Sequence, residues 1–180
     1  MSEVPAAAFD PRELRRAFGL FATGVTVITA VGPDQEPVGI TANSLASVSL
    51  DPPLLLWCIA NKSSNLPAFI PGRAFAVHVL AESQRDMALH FAKSGRTKFE
   101  VDSSWRLKPY PPRIAGALAR FDCAVESVLS AGDHSIVLGR IANFESGQVA
   151  PLLFHGSQFG RFEGISTAPQ PYPLGPDDWF

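Results

Sequence analysis

The chain has 180 residues, 46% of them hydrophobic and 18% charged, with a formal net charge of −2. That length suits one domain around a single core, and the composition excludes a disordered chain. The charge balance gives no general pull towards nucleic acid or an anionic membrane, so any phosphate must be met locally by loops and a few placed cations. Thirteen Phe and sixteen Pro add aromatic packing and sharp turns, which leans towards β structure.

Residues 1–9 carry Glu3 and no basic stretch, so they read as a flexible N-terminus and not a signal peptide. The most apolar run, Leu54 to Ala60, is too short to cross a bilayer. Cys58 and Cys123 have neither disulfide-framework nor zinc spacing. Two reduced, buried core thiols in a cytoplasmic protein are expected.

Asp10-Pro11-Arg12-Glu13 opens a helix: Asp10 can cap, Pro11 suits the first turn, and Glu13 can close a capping box. Leu14, Ala17, Phe18 and Phe21 then share one helical face. Gly24 ends the element, and the β-rich run Val25 to Val31 is a strand. After the turn at Gly32-Pro33-Asp34, Val38 to Leu50 is expected to pair back as a hairpin. Asp51-Pro52-Pro53 breaks the chain before the apolar strand Leu54 to Ile59. A polar loop, Asn61-Lys62-Ser63-Ser64-Asn65, leads into a helical turn near Leu66 to Ile70. Ala74 to Leu80 is a strand, and Ser83 caps a helix reaching Phe91. Residues 94–116 are irregular and read as a loop or lid. Leu118 to Leu129 and Ser135 to Phe144 are strands around Ala131-Gly132-Asp133-His134, and Leu152 to Phe154 pairs with Gln158 to Phe162. One domain over 10–162 is expected, with 163–180 a Pro-rich tail. The fold class is mainly β: about seven strands with a few flanking helices predict a closed or split antiparallel, Greek-key-like barrel.

The chain lacks a Gly-x-Gly-x-x-Gly after a strand, a phosphate-cradling Walker loop and a Gly-x-Ser-x-Gly elbow. Its four histidines, His78, His90, His134 and His155, have no metal-ligand spacing, so no metal is expected. Three segments carry chemistry. Gly39 to Leu54 holds small side chains at Thr41, Ala42, Asn43, Ser44 and Ser47, which would let a flat ring approach the backbone; an ordinary edge strand fits equally well. The polar loop combines two hydroxyls, one ammonium and a helix start, the makings of a phosphate cradle, or else a plain turn. Gly132 can take a positive φ and aim His134 over a neighbouring surface to position a nicotinamide, or simply leave it in solvent.

The order Phe21-Ala22-Thr23-Gly24-Val25-Thr26-Val27-Ile28-Thr29, Thr41 to Pro53, Cys58, Phe91-Ala92 with Lys98-Phe99, Gly132-Asp133-His134 and Pro151-Leu152-Leu153-Phe154 resembles the flavin reductase-like family. These are short-chain reductase components of two-component flavin monooxygenases. The resemblance spans residues 10–162 and implies an FMN-binding split barrel, a homodimer that oxidises NADH or NADPH and reduces FMN or FAD for an oxygenase. It implies that Thr41, Ala42, Asn43, Ser44, Ser47 and Val48 line the isoalloxazine and ribityl chain. Lys62, Ser63, Ser64 and Asn65 would meet the flavin phosphate. Arg96, Lys98 and Phe99, in the 95–99 loop, would approach the phosphate or adenylate end. His134, as the catalytic residue, would face the nicotinamide together with Phe154, His155, Gly156 and Ser157. Ser64 stands where the family often has an Arg. The same barrel also hosts pyridoxamine-phosphate-oxidase-like enzymes, tight FMN holders and non-catalytic binding modules.

Overall fold

A computed structural model describes residues 9–93, 98–99, 105–106 and 111–164. Helix α1 spans Pro11–Phe18, and the Asp10 carboxylate accepts the Arg12 N–H at 2.8 Å as its cap. The helix stops at Phe18, three residues short of Phe21. The apolar face is open: Phe18 is 71% and Phe21 78% exposed. The periodicity is real, but nothing among the described residues covers it.

Strands follow in chain order: β1 Thr23–Gly24, β2 Thr26–Val31, β3 Pro37–Ala42, β4 Ala46–Leu50, β5 Pro53–Ala60 and β6 Ala74–Val79. Then come helix α2 Arg85–Ala92 and strands β7 Trp105–Arg106, β8 Arg113–Ile114, β9 Ala119–Ala131, β10 His134–Ser146, β11 Leu152–His155 and β12 Gln158–Arg161. Seven strands form one antiparallel sheet in the order β3-β2-β6-β9-β10-β5-β4. The two edge strands, β3 and β4, are neighbours in sequence. The expected single strand Val38 to Leu50 is therefore two strands, broken at Asn43-Ser44-Leu45, because the sheet curls round until β3 meets β5.

The barrel interior is filled by Ile28, Val38, Leu55, Trp57, Ile59, Phe69, Phe75, Val77, Val125 and Val137. Strand β5 shows how the sequence fills it: Leu55, Trp57 and Ile59 point inward while Leu54, Leu56 and Cys58 are half-buried on the other face. Only Cys123 of the two free thiols is fully buried, and burial raises its pKa to about 12. Cys58 falls on the outer register. The Ser44 hydroxyl accepts the Cys58 N–H at 2.9 Å and lies 3.4 Å from the Cys58 carbonyl oxygen, so a side chain stitches the seam between β3 and β4 to β5.

A second apolar layer covers the outside of β2 and β3, with Val25, Val27, Leu80, Ala88, Phe91, Phe99, Ile114 and Leu152. Gly39 permits the close approach of α2, since a Cβ there would stand 2.5 Å from the Phe91 ring and 3.1 Å from Phe99. Ser83 does not cap α2. Glu82–Gln84 form a 3₁₀ turn instead, in which the Gln84 side chain accepts the Ala81 N–H at 3.0 Å and donates to the Ala115 carbonyl at 2.8 Å. The segment read as an irregular lid is partly built in: β7 pairs with β8, and Ile114 is buried in this layer. Strands β1, β11 and β12 make a separate three-stranded sheet. No helix among the described residues is long and apolar enough to cross a membrane.

Candidate functional site

Three polar segments meet on one rim of the barrel. The polar loop follows β5, the His134 turn joins β9 to β10, and the β3–β4 connection closes the seam. Ser63 folds the loop back by donating its N–H to the Ala60 carbonyl at 2.9 Å, and its hydroxyl accepts the Asn65 N–H at 3.3 Å. The loop then enters a 3₁₀ turn at Leu66–Ala68. Asn65 reaches β3 through its side-chain amide, 3.4 Å from the Gly39 carbonyl. Lys62 and Ser64 are exposed.

Gly132 has φ +64° and is the first central residue of a two-residue hairpin, as that turn type requires. His134 pairs in register with Ala60, the residue just before the polar loop. Its side chain is 47% exposed, with Nδ1 2.7 Å from an Asp133 carboxylate oxygen. That hydrogen bond, with the His134 and Lys62 charges nearby, holds the Asp133 carboxyl below its ordinary pKa. The imidazole is thus held at Nδ1 and half open to solvent.

The seam residues divide by role. Asn43, Ser47 and Val48 are exposed, and the β4–β5 register shifts between Ser47 and Ser49, so Val48 sits at a bulge. The Thr41 hydroxyl is committed to the Ala88 carbonyl of α2 at 2.6 Å, and Ser44 is committed to Cys58. Ala42 supplies a carbonyl to Thr26. Thr41 and Ser44 thus shape the wall, while Asn43 and Ser47 leave groups free to contact a ligand.

Two expected contacts take a different form. The Lys98 ammonium is buried and donates to the Gly39 carbonyl at 3.0 Å and the Phe91 carbonyl at 2.9 Å, and burial lowers its pKa. Phe99 packs against Phe91 with ring centroids 5.1 Å apart. Both support the floor beneath the polar loop instead of reaching outward, although Lys98, Ser64 and Asn65 do line one narrow crevice. Arg96 lies outside the described residues. Phe154, on β11, is half-buried against Phe159 at 5.3 Å. The turn at His155-Gly156-Ser157 is tied to the end of α1, where the Gly156 N–H donates to the Gly19 carbonyl at 2.8 Å. Within one chain no described hydrogen bond or ring contact joins that turn to His134.

A cavity of about 410 Å³ opens elsewhere, lined by Arg113, Gly116, Arg120, Glu145 and Gly147 among others. Its guanidiniums are already paired with Asp122 and Glu145, so it offers no uncommitted cation. The rim does, in Lys62.

Reading residue types along the chain named Asn61 only as part of the polar loop and Ser135 only as the start of a strand. The Asn61 carboxamide donates to the Gly132 carbonyl at 3.0 Å and accepts from the Ser135 hydroxyl at 2.8 Å. Its place at the head of a polar loop was the available signal.

A family model described as "Flavin reductase like domain" matches residues 18–163. The FMN reductase (NADH) SmoA of Agrobacterium fabrum is 45% identical over 154 residues, covering 85% of this chain and 87% of that protein. The reductase component of a flavin-dependent trigonelline monooxygenase from Acinetobacter baylyi is 47% identical over 161 residues, covering 88% of this chain and 51% of that protein. The chain spans about half the length of some curated relatives it matches. Among solved structures, the NADH:FAD oxidoreductase SgcE6 of Streptomyces globisporus, in complex with NAD and FAD fragments, superposes with a TM-score of 0.78 at 40% identity. It covers 89% of this chain and 99% of that one. The curled sheet is the split barrel of these reductases. The matched span takes in the barrel, the polar loop and the His134 turn alike, and on that ground the chain belongs to the flavin reductase-like domain family.

Proposed function

We propose that this chain binds FMN or FAD at the rim, reduces it with NADH or NADPH, and supplies reduced flavin to a partner monooxygenase. One observation carries the reading: an exposed ammonium and a hydroxyl-rich loop, the makings of a phosphate site, are fastened to a turn that presents a half-exposed imidazole. Relatives named for FMN, for FAD and for monooxygenase components support both flavins and an oxygenase partner.

The residues fit the group. Lys62 and Ser63 offer a charge-assisted and a neutral contact to a phosphate. The small side chains of Thr41, Ala42, Ser44 and Ser47 leave a flat wall for a ring. Hydride transfer between nicotinamide and flavin is chemistry that the two cofactors supply. This chain's part is placement: the polar loop holds one end, the seam supports the ring, and His134 orients what stacks above it.

The decisive assay follows dinucleotide oxidation with FMN, FAD and riboflavin added in turn. His134→Ala should lower the limiting rate of flavin reduction about tenfold or more while leaving flavin affinity nearly unchanged. Wild-type stopped-flow rates in that variant would remove His134 from the site.

We place the protein in the cytoplasm, as a homodimer. Phe9, Phe18, Leu20 and Phe21 are 68%, 71%, 69% and 78% exposed, a grouping that isolated monomers seldom show. A second copy would cover it and the open face of the groove, burying upward of about 2,000 Å². Sedimentation at low micromolar concentration should give twice the 19.3 kDa chain mass. A fully active monomer would refute the dimer.

A further inference from the structure

Three positions flanking His134, namely Gly132, Asp133 and Ser135, are tied to a single residue of the polar loop. The Asn61 backbone N–H donates to the Asp133 carbonyl at 3.0 Å. Its side-chain Nδ2 donates to the Gly132 carbonyl at 3.0 Å, and its Oδ1 accepts from the Ser135 hydroxyl at 2.8 Å. A carbonyl can only accept, so the amide nitrogen must face Gly132 and the oxygen is left for Ser135. One amide orientation satisfies both sides.

These bonds bracket His134 without touching its ring. The carboxylate that holds Nδ1 belongs to Asp133, whose own backbone is pinned by Asn61. The position of the imidazole is therefore set from the first residue of the loop that continues directly into Lys62 and Ser63. Asn61 itself is exposed, where a hydrogen bond adds little to folding stability. Its geometry serves position more than stability.

We infer that Asn61 is a positioning residue: it fixes the span between the loop that takes the flavin phosphate and the imidazole that faces the nicotinamide. The inference rests on the function proposed above. Displacing reacting rings by even about an ångström can slow a positioned reaction by about a hundredfold, so a modest pair of surface bonds can govern rate while leaving stability nearly untouched.

The test uses Asn61→Ala, Asn61→Asp, Ser135→Ala and Ser135→Thr in the full chain. In flavin-free protein, amide exchange at residues 132–135 should quicken at least about tenfold in Asn61→Ala, with the thermal midpoint nearly unmoved. With flavin and NADH, the limiting reduction rate should fall about tenfold or more, while the FMN dissociation constant stays within about threefold. Asn61→Asp keeps the acceptor for Ser135 but loses the donor to Gly132, and should resemble Asn61→Ala. Ser135→Thr keeps the hydroxyl and should be near wild type. Ser135→Ala, which leaves Asn61 in place should its removal prevent folding, should show a smaller fall. Unchanged exchange and unchanged rate in Asn61→Ala would overturn the inference alone. Equal losses of flavin affinity, rate and thermal stability would overturn it in favour of a structural role. A wild-type chain that oxidises no dinucleotide with any flavin would overturn the parent reading, and with it this one.

Discussion

Replacing Lys62 and Ser63 together by alanine should weaken FMN binding by about 2–4 kcal/mol, or about 30- to 1,000-fold. Lys62 is exposed at the loop's crest, so it can meet a phosphate without first breaking an internal bond. Its ammonium contributes the larger, charge-assisted share. Ser63 contributes less directly, because its hydroxyl also accepts the Asn65 N–H. Losing it loosens the turn as well as deleting a contact. Fluorescence titration of each single variant and of the double variant separates these effects. Riboflavin supplies the control: without a phosphate, its affinity should be nearly indifferent to the same changes. If FMN and riboflavin lose affinity equally, the loop contacts something other than phosphate. If FMN affinity is unchanged, the phosphate lies elsewhere.

Acid should destabilise the fold through His78, by about 3 kcal/mol between pH 6.5 and pH 4. The residue is fully buried on β6, with Nδ1 3.1 Å from the Val27 carbonyl and Nε2 without a partner among the described residues. Facing a carbonyl, Nδ1 must carry the proton, which leaves Nε2 as the buried lone pair. Burial lowers its pKa from 6.5 to about 4; Arg120 and Arg113 also lower it, and the Val27 carbonyl and Asp122 only partly oppose this. The sign follows from proton uptake. Below pH 6.5 the unfolded chain protonates this imidazole while the folded chain does not, so stability falls with pH until about 4. The fall from 6.5 to about 4, at about 1.4 kcal/mol per pH unit, caps the effect at about 3.5 kcal/mol, most of it within this window. Urea unfolding of wild type and His78→Leu at pH 7 and pH 4.5 is the measurement. The variant loses the Val27 bond at every pH, but its stability should differ less between the two. An identical pH difference in both proteins would show that other groups carry the acid sensitivity.

Local chemistry made much of this architecture legible. The Asp10 cap, the β-rich run of β2, the apolar β5 and the positive φ at Gly132 each follow from a few adjacent residues. The break at Asn43-Ser44-Leu45 did not, because the residues on either side have similar strand propensity and only barrel closure separates them. Ser83 looked like a cap, but the longer Gln84 side chain reaches the Ala81 N–H instead. The resemblance put Lys98 near the phosphate or adenylate end. Its burial depends on carbonyls at Gly39 and Phe91, 59 and 7 residues away. Asn61 and Ser135 are 74 residues apart, and no spacing rule pairs them. The segments of the candidate site were readable, then, but the division of labour inside them was not. Which hydroxyl is free and which is spent on a backbone carbonyl is decided by tertiary neighbours.

The Ser44 stitch has a dynamic consequence. The first and last strands of the seven-stranded sheet, β3 and β4, are joined by only three residues, so drawing them together loses little additional chain entropy once the other strands are in place. Near the Ser44–Cys58 stitch, the hem is fastened by one hydroxyl instead of a row of ladder bonds. A hem of this kind can unfasten and refasten while the Trp57–Phe69–Phe75 interior stays packed. If the groove on that hem takes a flat ring as proposed, local opening of this kind would let the ring leave without global unfolding. For the reductase proposed above, whose product would have to leave to be useful, a loosely buttoned edge would be an asset.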